Sequence, residues 1–127
     1  MRLLLAAFLL LSTASFGQNK KNQWLELKSF QKLITTTYKA ADRGNFDVVT
    51  ANVDTLLQAA KALKASTIPI TYKYDITNKT LTQLVTDCHI LRGAAKEKSN
   101  NIELMALVSG ANDTFKRIET ECKKEEE

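Results

Sequence analysis

Between Trp24 and Leu63, apolar residues recur at every third or fourth position in two blocks separated by a single glycine. This pattern predicts two amphipathic helices folded back on each other. The first runs from Trp24 to Ala41 and stops at Asp42-Arg43-Gly44, where glycine supplies the left-handed backbone that ends many helices. Asn45 then takes the N-cap position, and Asp47 suits the positive pole of the helix dipole. In the second block Phe46, Val49, Val53, Leu56, Ala60 and Leu63 are spaced 3-4-3-4-3, which places all six on one face. A helical hairpin with one apolar face cannot bury it alone. The rest of the chain must supply the other half of the core.

The sequence after the hairpin meets that requirement. Ile68-Pro69 prevents the second helix from continuing, because proline disfavours helical backbone in the residue before it. Residues 70–75 alternate apolar and polar like a short strand. With no second strand in view, they read as an extended crossover laying its aromatics on the bundle. Asp75, Thr77 and Asn78 compete to cap a third helix carrying Leu81, Leu84, Cys88, Leu91 and Ala95. Residues 99–101 form the next turn. A fourth helix then carries Leu104, Val108, Ala111, Phe115, Ile118 and Cys122. The expected fold is all-α, an antiparallel up-down-up-down four-helix bundle with helices over 23–42, 46–66, 77–98 and 101–124.

The N-terminus has a different character. Met1-Arg2 precedes the apolar run Leu3–Leu11, and Ser15-Phe16-Gly17 places small residues at the two recognition positions before a cut. Residues 1–17 therefore read as a signal peptide, with the bundle over 18–127 exported to the periplasm or secreted. The run is short for a membrane span, so none is expected after cleavage. Losing Arg2 from 18 basic residues while keeping 14 acidic ones leaves a net charge of +3. No basic stripe with interleaved aromatics appears, and nucleic acid is not an expected partner.

Two cysteines in an exported chain invite a disulfide. Bundle geometry opposes it: Cys88 and Cys122 differ by roughly 15 Å along antiparallel helices, whereas a bridge tolerates Cα separations of about 4.4–6.8 Å. Both also fall on apolar stripes, where thiols serve as small buried hydrophobes. The two readings stand side by side.

Several segments, among them Phe30-Gln31, Thr37–Asn45, Ala59–Ser66 with Ile68-Pro69, Leu84–Cys88 and Asn112–Ile118, resemble a group of small exported four-helix proteins with metal-binding histidines. The resemblance covers most of the exported chain. It implies histidines where this chain has Gln31, Lys39, Asn112 and Lys116. In the bundle, helices one and four have heights summing to about 147, so Gln31 faces Lys116 and Thr35 faces Asn112. Cys88 reaches the same level from helix three. Histidines there would converge on a metal ion. Here all four imidazoles are replaced, and the scaffold is what remains. Lysine in such a site holds an anion, pairs with a carboxylate, or simply reaches solvent.

The scaffold also resembles cytochrome b562 and cytochrome c′, which makes a haem-binding electron carrier the alternative reading. Such a site needs facing axial ligands, for which the exported chain offers only His89 and Met105. The haem-attachment pattern is half present, with Val85 where the first cysteine belongs. Cys88 and His89 are the remaining candidates for a transition metal, although they point about 100° apart on one helix. No nucleophile, base and orienting partner share a level, and no glycine-rich phosphate loop or facing carboxylate pair occurs. The sequence thus leads to an exported, non-catalytic binding protein with no resident cofactor. Its partner is a small ligand or another envelope protein.

Overall fold

The computed structural model describes residues 23–125; the signal peptide expected over 1–17 lies outside the described residues. Four helices follow in order: α1 (Leu25–Asp42), α2 (Phe46–Ala65), α3 (Tyr74–Lys96) and α4 (Asn101–Arg117). A π-helical turn, Ile118–Cys122, continues α4. Each helix packs on the next and α4 returns to α1, as in an antiparallel up-down bundle. The apolar stripes meet at the centre, where Phe30, Ile34, Leu56, Leu84, Leu91 and Val108 are fully buried. No helix among the described residues is long and apolar enough to cross a membrane.

The two short turns share one geometry. After α1, the Gly44 and Asn45 amides donate to the carbonyls of Ala41 and Ala40 at 2.9 and 2.8 Å. After α3, Lys98 and Ser99 donate in the same way to Ala95 and Ala94 at 3.1 and 3.0 Å. Both are Schellman closures, which satisfy carbonyls that a helix end leaves open. Gly44 adopts the left-handed backbone at φ 80°, as its identity predicts. Lys98 does so at φ 58° and carries the Cβ crowding that glycine avoids. The third helix therefore stops at Lys96 rather than at 98. Asn45 occupies the N-cap of α2 without a side-chain bond, whereas Asn100 caps α4 by accepting from the Glu103 amide at 2.8 Å.

The crossover and the chain's end depart most from expectation. α3 begins at Tyr74 without a side-chain cap, so Asp75, Thr77 and Asn78 all lie inside the helix. Thr77 is fully buried, and its hydroxyl has no hydrogen-bond partner among the described residues. The strand-like crossover does find a partner. Tyr72 forms an antiparallel bridge with Lys123, through Lys73 N to Cys122 O at 2.7 Å and Lys124 N to Thr71 O at 2.8 Å. Extended backbone after the π turn, where continuous helix is predicted to 124, makes that pairing possible. Tyr72 also packs edge-on against Trp24, with ring centroids 5.0 Å apart. The Trp24 indole donates to Ser66 Oγ at 2.8 Å, and Ser66 Oγ donates to Leu63 O at 2.6 Å.

Lys98→Gly removes the cost of a left-handed side-chain-bearing residue, so urea unfolding of that variant should show a gain of about 0.5–1 kcal/mol. Gly44→Ala should lose about 1 kcal/mol in the same assay. Equal effects at the two turns would contradict this account.

Candidate functional site

The seam between α1 and α4 is the least closely packed of the four, and a trough runs along it and on past the end of α4 to the crossover. One section, of about 190 Å³, is lined by Gln31 and Thr35 from α1, by Asn112, Phe115 and Lys116 from α4, and by Glu119 and Thr120 from the π turn. The adjoining section, of about 290 Å³, is lined by Gln23, Trp24, Leu27, Lys28, Thr71, Tyr72 and Lys123, and shares Gln31 and Glu119 with the first. Lys28, Gln31 and Thr35 recur at 3-4 spacing, so one edge of α1 presents polar groups beside its apolar stripe. Beneath that edge Phe30 packs on Phe115, with ring centroids 5.4 Å apart, and this pair closes the floor of the seam. A larger depression, of about 510 Å³, runs along the outer face of α3 from Asp75 to Thr86. Its lining comes from that helix alone, so no second wall converges on a ligand there.

The structure brings together three of the four positions that the resemblance singles out. Gln31, Asn112 and Lys116 line the same section, with Thr35 beside them. Asn112 is only 7 % exposed. Lys39 is not among the lining residues; it lies two turns from Gln31 along α1, roughly 12 Å away, and is exposed. Cys88 does not reach the trough either, being fully buried in the core. His89 is exposed, so the adjacent pair faces opposite environments. Met105 is partly buried against the core. Thr114 Oγ1 donates to Asp87 Oδ2 at 2.6 Å, which sets the register of α3 and α4 and puts Met105 well over a turn from the level of His89. Among the described residues, no group of three or more His, Cys, Asp and Glu side chains gathers to hold a metal ion.

Cys122 lies against Thr80, with its sulfur 3.5 Å from Oγ1. Cys88 is two turns further along α3, roughly 12 Å away, and both thiols are free. Sequence reasoning overlooked the contributions of Lys28, Glu119 and Lys123 to the trough. The polar stripe on α1 was a usable signal for Lys28. Nothing local marked Glu119 or Lys123, which depend on the π turn. No family model, curated protein or solved structure matches the chain. The structure defines a four-helix all-α domain with a polar trough along one seam.

Charge within the trough is uneven. The one carboxylate among its described lining residues, Glu119, accepts from the Tyr72 hydroxyl at 3.3 Å and lies 3.9 Å from Lys123 Nζ. Burial, reinforced by that carboxylate, pushes the Tyr72 hydroxyl up to about 12. Burial, with a smaller contribution from Asp87, likewise pushes the Cys88 thiol up to about 12 from 9.0. A thiol so buried and so weakly acidic is a poor nucleophile at neutral pH.

Both shifts have the same sign: the folded state keeps a proton that the unfolded chain releases. Their stabilisation is complete below pH 9.0 and is lost as pH rises towards 12. Urea midpoints should therefore hold steady up to about pH 9 and then fall, and Cys88→Ala should flatten the first part of that fall. A wild-type midpoint unchanged at pH 11 would refute the assignment.

Proposed function

We propose that this is an exported, non-catalytic helical-bundle protein of the periplasm or the extracellular space, which binds a small ligand in the trough between α1 and α4. Its scaffold derives from metal-binding bundles whose histidines have been replaced. The observation that carries this reading is the convergence of Gln31, Asn112 and Lys116 from two helices on one section of the trough. A cleft with two walls, an aromatic floor and a few convergent polar groups is the common form of a small-ligand site. The sealed, weakly acidic Cys88 supports a role without covalent chemistry. The exposed His89 has no partner in a metal-holding group among the described residues, which supports the loss of a resident metal.

Two measurements test the two parts separately. A panel of small neutral, anionic and cationic fragments, followed by heteronuclear NMR, should shift the side-chain amides of Gln31 and Asn112 and the Trp24 indole. Shifts confined to other surfaces, or none, would remove the trough as the binding site. For the scaffold's origin, the triple variant Gln31→His, Asn112→His and Lys116→His should bind cobalt(II) stoichiometrically with the intense visible bands of a tetrahedral site. The wild type should show none. A folded triple variant that ignores cobalt and zinc would reject the metal-binding origin and leave the trough reading intact.

A further inference from the structure

We infer that the trough selects a small organic carboxylate with an apolar or aromatic body. This inference rests on the trough being the ligand site. Its basis is the balance of charge and surface along the two sections. Lys28 on the α1 wall and Lys116 on the α4 wall both line the trough. Among the described residues, neither has a carboxylate within ion-pair distance. The one carboxylate among the described lining residues, Glu119, is already engaged by Lys123 and the Tyr72 hydroxyl. Among the described residues, two ammonium groups without an ion-pair partner therefore face a cleft whose one lining carboxylate is compensated, so its field favours negative charge.

The neutral groups point to the same ligand class. Gln31 and Asn112 offer amide N–H donors, and Thr35 and Thr120 offer hydroxyls, all within one section. A carboxylate accepts from such donors through both oxygens, in addition to the ammonium groups. Trp24, Tyr72 and Phe115 are each more than nine-tenths buried yet still line the trough, so they supply an apolar floor rather than a hydrated one. A bare inorganic ion would leave that floor unused. A cationic ligand would meet Lys28 and Lys116 with only the already paired Glu119 to offset them among the described residues.

Three ligands of one shape test this on the full exported chain: benzoate, neutral benzamide and cationic benzylamine, titrated while the Gln31, Asn112 and Trp24 side-chain resonances are followed. Benzoate should bind best, about threefold to tenfold more tightly than benzamide, as expected for two solvent-exposed ammonium groups. That advantage should collapse at about 1 M salt, where the screening length is about 3 Å. Lys28→Gln and Lys116→Gln should each weaken benzoate about twofold to threefold and benzamide by less, and Glu119→Gln should strengthen benzoate. Because the comparison on the wild type needs no variant, it stands even if a substitution perturbs folding. Benzamide or benzylamine binding there as well as benzoate would overturn the charge selection and leave the trough as a site. Silence from all three, and from the wider fragment panel, would overturn both.

Discussion

Tyr72 joins the start of α1 and the segment after the π turn to the crossover between α2 and α3. Its ring rests edge-on against Trp24, at the start of α1, while the flanking backbone pairs with residues 122–124 at the chain's end. Its hydroxyl reaches Glu119 on the π turn. Trp24 in turn donates to Ser66 at the end of α2. One aromatic pair thus ties together the beginning of α1, the end of α2, the crossover and the tail. Aromatic pairs of this geometry contribute about 0.5–1.5 kcal/mol beyond their buried area. Their larger effect here is to hold the long connection, which lacks the closure shared by the two short turns.

The trough exists because α1 and α4 are joined only through tertiary contacts. The other three seams lie between helices consecutive in the chain, and two of them are held by Schellman turns. At the α1–α4 seam, Phe30 and Phe115 meet beneath a polar rim, and the π turn carries Glu119 and Thr120 into the opening. π-helical turns are rare and recur at functional sites because they redirect side chains without ending the helix. This one keeps Ile118 and Cys122 fully buried while it turns Glu119 and Thr120 outward. The same turn leaves the Cys122 carbonyl free to accept from Lys73. Clasp and trough share a physical origin.

Where the chain was legible, the cause was periodicity or a strong local residue. Of the six residues spaced 3-4-3-4-3 on α2, Val49, Val53, Leu56, Ala60 and Leu63 are buried and Phe46, at the helix start, is partly buried against the core. Gly44 announced its turn because few other residues tolerate that backbone. Lys98 adopts nearly the same backbone without announcing it, since the helix–helix geometry imposes the turn on whatever residue stands there. That Gln31, Thr35, Asn112 and Lys116 line one section was readable because antiparallel helices of known rise have a calculable register. Lys39 falls outside that register. The crossover was readable as extended, but its partner was not, because the partner lies about fifty residues away in a segment whose pattern reads as helix.

The sequence by itself determined the class of fold, since four apolar stripes at helical spacing have one economical way to hide from water. It also determined the level at which Gln31, Asn112 and Lys116 meet, and the placement of both cysteines on apolar stripes. Only the tertiary structure decided that Cys88 is sealed away from His89, that α4 ends in a π turn, and that Tyr72 bridges to Lys123. It alone paired Glu119 with Tyr72 and Lys123, leaving Lys28 and Lys116 without an ion-pair partner among the described residues. The physical reason is range. Helix formation and stripe placement depend on residues three or four apart, whereas the clasp and the charge balance of the trough depend on groups brought together only when the last helix closes on the first.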